Sequence, residues 1–141
     1  MSEEHKLRRV AVVLFENFTV LDVYGPIQAF ASCRLPTADG GWQLFFEIVA
    51  VAEQAGFVHS GEGPATHAAH SFTDAPECDI LLIPGGFGTR AEVSNPAFLT
   101  QLATASQQAP ITATVCTGSA LLARTGLLDG RRATSNKIAW D

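Results

Sequence analysis

The chain has 141 residues, 47% of them hydrophobic and 16% charged, which is enough for one core and too few for two. The net charge of −5 comes without a basic patch, the adjacent Arg131 and Arg132 being too small a cluster, so no nucleic-acid partner is expected. No apolar run reaches bilayer length, the first nine residues hold no apolar signal core, and three irregularly spaced cysteines argue against a disulfide framework, so the expected setting is reducing and cytoplasmic, with no membrane partner.

Val10 to Phe15 is a continuous apolar run, the pattern of a strand covered on both faces. A helix is predicted from Thr19 towards Cys33, bent or interrupted at Gly25-Pro26. Leu35 to Gly41 is a connection containing Pro and Gly, and Trp42 to Val51 reads as a strand. Gly56 to Ser71 alternates small, polar and apolar residues around Gly61 and Gly63, which suggests short strands and turns. Asp79 to Ile83 is a further buried strand, stopped by Pro84-Gly85-Gly86. Asn95 and Pro96 form a helix start, cap then first turn, and the helix runs to Gln108 with Phe98, Leu99 and Leu102 on one face. Ile111 to Val115 is β-branched and reads as a buried strand; Thr117 to Arg124 reads as a helix, with Gly126 placed to end it. Arg131 to Ser135 is expected to add one more strand.

Strands alternating with helices argue an α/β sandwich with a largely parallel sheet. Ligands bind such sheets outside the carboxyl ends of the strands. Three loops leave those ends, after Phe15, after Ile83 and at Cys116. Cys116 falls at a sharp strand-to-helix turn followed by small residues, which pushes its thiol out at the end of a strand beside N–H groups that favour the nucleophilic thiolate. The turn is like the nucleophile turn of hydrolases, with Cys in place of Ser. The bland reading of any free cysteine is a small buried hydrophobe. It is expected for Cys33 and Cys78, and rejected for Cys116 because of its turn.

The loop Pro84-Gly85-Gly86-Phe87-Gly88 can turn backbone N–H groups towards a ligand and, with the N–H of Thr117, form an oxyanion hole from Gly85, Gly86 and Thr117. Its alternative is a plain glycine-rich turn, and it lacks the Gly-Lys-Ser/Thr ending of a phosphate loop. Asp22, flanked by Val20, Leu21, Val23 and Tyr24, is either a helix-start charge facing solvent or a buried acid facing the site, where it could exchange a proton. His5, His59, His67 and His70 form no metal pattern with the cysteines, so neither a metal nor another cofactor is expected.

Four segments in this order resemble the DJ-1/PfpI superfamily, a branch of the class I glutamine amidotransferase-like fold. They are Leu21-Asp22-Val23-Tyr24-Gly25-Pro26, Leu81-Leu82-Ile83-Pro84-Gly85-Gly86-Phe87-Gly88, Val115-Cys116-Thr117-Gly118-Ser119, and the run from Gly126 to Thr134. The resemblance implies a three-layer α/β/α sandwich with a mostly parallel, flavodoxin-like sheet. The pairing of Asp-x-x-Gly-Pro with Cys-Thr-Gly is most similar to the isonitrile hydratase branch. That implies catalytic roles for Cys116, Asp22 and Thr117, a small-molecule isonitrile substrate and a homodimer. Peptidase-like members have His directly after the Cys; Thr117 stands there, so protease activity is not implied.

Family chains usually continue beyond this length. The expectation is therefore one domain over residues 1–141 lacking its C-terminal part, with Ile138 and Trp140 left uncovered. Two other readings are a ligand-sensing domain like the N-terminal part of AraC-type transcription regulators, and a DJ-1-like stress or redox protein. The usual helix acid of the latter is Glu, where this chain has Asp22.

Overall fold

The computed structural model describes residues 6–137. Five strands form the central sheet: β1 (Arg8–Val13), β4 (Phe46–Ala52), β7 (His70–Ser71), β8 (Ile80–Ile83) and β9 (Ile111–Thr114). Their order is β7-β4-β1-β8-β9, and every neighbouring pair is parallel. The four longer strands alone follow the flavodoxin-like order, and the two-residue β7 extends that sheet beyond β4. Parallel strands joined by crossovers need helices over their faces, which is why the central strands β1 and β8 carry continuous apolar runs. Val10, Val12, Val13, Leu81 and Ile83 are buried accordingly.

The helices are α1 (Val20–Ala31), α2 (Thr89–Glu92), α3 (Pro96–Gln108) and α4 (Gly118–Arg124). The α1 helix starts one residue after Thr19 and carries Pro26 within its span. Its first free N–H, on Val20, is taken by the Glu62 carboxylate at 3.0 Å. The α3 helix matches its expected bounds. Asn95 Oδ1 accepts from the Phe98 N–H at 3.2 Å, and Phe98, Leu102 and Ser106 form the buried face. Phe98 meets Phe15 and Phe72 edge-to-face, joining the helix to the carboxyl end of β1.

Two antiparallel ribbons lie outside the main sheet. One pairs β2 (Arg34–Pro36) with β3 (Trp42–Leu44), the other β5 (Gly56–His59) with β6 (Ala65–Ala68). The strand expected over Trp42 to Val51 is thus two strands that break at Phe45, whose N–H turns to the Cys33 carbonyl while its own carbonyl accepts from Arg8. The strand expected over Arg131 to Ser135 does not form. That stretch is largely exposed and, among the described residues, pairs with no strand, because the sheet ends at β9. The exposure expected of Ile138 and Trp140 lies outside the described residues.

Candidate functional site

Three loops meet at the carboxyl end of the sheet, at the point where the chain order reverses on either side of β1. They are the β1–α1 loop, the glycine loop after β8 and the turn after β9. Backbone bonds tie the first two together: Thr19 N–H to the Gly85 carbonyl at 2.9 Å, and Gly88 N–H to the Asn17 carbonyl at 3.2 Å. Val115 N–H bonds the Ile83 carbonyl at 2.9 Å and delivers the third loop alongside.

Cys116 has φ +55°, in the left-handed region that side chains other than glycine seldom occupy. Between β9 and α4, this conformation turns the chain sharply enough to lift the cysteine side chain out of the strand. The residue is half-buried, and Asn136 Nδ2 donates to its Sγ at 3.1 Å.

Asp22 lies in the first turn of α1 and is half-buried; its Oδ2 accepts from the Gly85 N–H at 3.1 Å. Of the two readings open from sequence, the structure therefore has the acid facing the glycine loop. Thr117 is buried, and its Oγ1 accepts from the Gly86 N–H at 3.1 Å and lies 3.3 Å from the Thr89 hydroxyl. Neighbouring amides of one loop thus hold Asp22 and Thr117, the residues on either side of it.

This arrangement changes what the glycines do. Both N–H groups expected to face a ligand are engaged inside the protein, Gly85 with Asp22 and Gly86 with Thr117. They orient side chains instead of lining an open oxyanion hole. The Thr117 N–H has no hydrogen-bond partner among the described residues. The glycines are there for space. A Cβ on Gly85 would sit 2.7 Å from Thr117 N and 2.8 Å from Cys116 Cβ, and one on Gly86 would sit 2.5 Å from the Asn17 carbonyl.

Asn136 was missed by sequence reasoning. It lies twenty residues after Cys116 in an irregular segment, and no periodicity or spacing marks it. Among the other cysteines, Cys33 is exposed, not buried as expected, because α1 ends at Ala31 and leaves it past the last turn. Cys78 is half-buried against the core, and that burial pushes its thiol above the ordinary value. His59 lies 3.6 Å from the Glu16 carboxylate, and His67 packs edge-on against Phe57. Among the described residues, no group of three or more metal-ligating side chains could hold an ion. No helix among them is long and apolar enough to cross a membrane.

The sequence matches the model of the DJ-1/PfpI family over residues 8–140. It is 30% identical over 128 residues to the isonitrile hydratase of Pseudomonas putida, an alignment that takes in 91% of this chain and 52% of that protein. An uncharacterised protein of Streptomyces lividans is 29% identical over 128 residues, which take in 91% of this chain and 86% of that one. A ThiJ/PfpI family protein from Pseudomonas syringae superposes with a TM-score of 0.74 at 28% identity, over 86% of this chain and 47% of its own. One from Bacillus anthracis does so with a TM-score of 0.73 at 23% identity, over 98% and 64%, and shows the fold alone. This chain therefore spans about half the length of the hydratase and of the Pseudomonas syringae protein. The match runs through the parallel sheet, the glycine loop and the cysteine turn alike, and this chain belongs to the DJ-1/PfpI family.

Proposed function

We propose that the domain is a cysteine-dependent hydro-lyase that adds water to an isonitrile and yields an N-substituted formamide. The observation that carries this reading is the shared anchoring of Asp22 and Thr117 on neighbouring amides of the loop that touches Cys116. This anchoring supports a nucleophile, a proton carrier and a backbone donor acting together. Likeness to an isonitrile hydratase supports the choice of substrate.

The Cys116 thiolate adds to the terminal isonitrile carbon, and that carbon takes a proton from Asp22, giving an enzyme-bound thioimidate. Asp22 Oδ2 is held by the Gly85 N–H, which leaves its other oxygen to pass the proton. Water then adds to the thioimidate carbon, with one proton passing to nitrogen and the other returning to Asp22. The Thr117 N–H stabilises the oxygen as charge develops on it. Collapse of this adduct expels the thiolate and releases the formamide.

The expected result is formation of the formamide from a simple alkyl isonitrile by the parent protein, followed by chromatography. Asp22→Asn keeps the melting temperature and lowers turnover by about 10²- to 10⁴-fold. Absence of turnover in the parent, or full turnover in the Asn variant, removes this reading. The proposal extends to a homodimer, supported by Leu21 and Tyr24, which are exposed on α1. Sedimentation that shows only monomer removes that part.

A further inference from the structure

We infer that Asn136 is a positioning residue for Cys116, holding the thiolate through its side-chain amide. The inference deepens the reading of Cys116 as the nucleophile and rests on it. Asn136 Nδ2 lies 3.1 Å from Sγ and is the only hydrogen-bond donor to that sulfur among the described residues. The two acid-base and hydroxyl partners nearest in the fold point elsewhere, Asp22 to the Gly85 N–H and Thr117 Oγ1 to the Gly86 N–H. The sulfur therefore receives its polar support from the irregular segment that follows α4, twenty residues downstream.

An amide has no titratable proton to give or take here, so its contribution is to hold the charged form. A donor on sulfur stabilises S⁻ relative to S–H. It also fixes the direction in which the remaining lone pairs point, which is the direction of attack. The same bond makes each thiolate a weaker nucleophile, because reactivity falls as the thiolate is stabilised. The two effects oppose one another, and their balance depends on pH. Asp22, in the first turn of α1, is the titratable side chain bonded to the neighbouring glycine loop, and it is common to the parent and to every Asn136 variant, so a comparison between them isolates the amide.

The test is exchange of Cys116 with a small aromatic disulfide, followed site by site with mass spectrometry, with Cys33 as internal reference. The thiolate displaces the aromatic thiolate and forms a mixed disulfide, so electrons balance without another reagent. Asn136→Ala loses about tenfold in thiolate fraction near about pH 7, partly offset by higher nucleophilicity, so exchange there slows about threefold. At a pH high enough that ionisation no longer limits exchange in either protein, the Ala variant exchanges about threefold faster. The two profiles therefore cross. Asn136→Asp, which has the same shape but a charged acceptor beside sulfur, is slower still at neutral pH, and Asn136→Gln, which keeps a donor, returns towards the parent. Profiles that coincide, or that differ by one constant factor at every pH, overturn the inference. If Cys116 shows the crossing but the parent hydrates no isonitrile, the hydratase reading fails and the role of Asn136 stands.

Discussion

At the scale of single residues, the site depends on side chains that are absent. Gly85 lies between Thr117 and Cys116 with no room for a methyl group. Gly85→Ala is expected to lower stability by about 1–3 kcal/mol, the usual cost of overpacking, and to slow Cys116 modification by displacing the turn. Gly61→Ala is the matched comparison. Its Cβ would meet only ordinary contacts, the nearest at 3.7 Å, so it is expected to be neutral or to stabilise by up to about 1 kcal/mol through the unfolded state. Urea unfolding of the two variants checks both signs. Equal losses in the two would show that the Gly85 contact is not tight.

At the scale of elements, the start of α3 carries an electrostatic load. Asn95 Nδ2 donates to both Glu53, at 3.0 Å, and Glu92, at 2.9 Å, while its Oδ1 caps the helix. Burial first, and the nearby Glu53 charge, raise the Glu92 carboxyl above its ordinary value of 4.5, while the Asn95 amide partly opposes them. A raised folded-state value means the folded protein holds this proton where the unfolded chain has released it. Stability is then lost as pH rises from 4.5 through the folded value, and the penalty is complete above it. Glu92→Gln is therefore expected to be more stable than the parent at neutral pH, with the advantage fading at lower pH. Unfolding curves across pH read this directly; an advantage that grows on acidification would reverse the argument.

The same scale shows what was legible in the sequence. Strands buried on both faces announce themselves as apolar runs, so β1 and β8 are legible, as is α3 through its Asn-Pro start; β9 forms where its β-branched residues place it, but as a half-buried edge strand and not the buried one expected. The cysteine turn could be read because a strand, a cysteine and small residues succeed one another in the chain. The direction of Asp22 could not, since it depends on a loop 63 residues away in sequence. The engagement of the Gly85 and Gly86 amides was hidden for the same reason: a glycine shows that backbone can approach, not what it approaches. The four-residue α2 has no room for a period, and the break at Phe45 answers to the Cys33 carbonyl and not to local composition. The strand expected over Arg131 to Ser135 had suitable residues but no partner beside it.

At the scale of the whole molecule, the sheet ends differently on its two sides. β7 has two residues, a short edge, whereas β9 has four, and Ile111 at its start is 55% exposed. Among the described residues the outer side of β9 is unpaired, and an open edge with an apolar residue invites association. Ile111→Lys places a charge on that edge and is expected to reduce concentration-dependent light scattering without lowering the melting temperature by more than a few degrees. Unchanged scattering would assign association to another surface, such as the exposed Leu21 and Tyr24 of α1.

The close approach of the three loops also bears on how such a site can be inherited. A methyl group on Gly88 would fall 1.8 Å from the Glu16 carbonyl, and one on Gly118 would fall 2.3 Å from the Ile83 carbonyl. Each loop is thus the mould of its neighbour, and none is an interchangeable module. A chimera that takes one loop from a distant relative would carry a surface cut for a different partner, so the loops must travel as a set. Diversification without disassembly is left to side chains that leave the mould and face outward, as Phe87 does from the middle of the glycine loop.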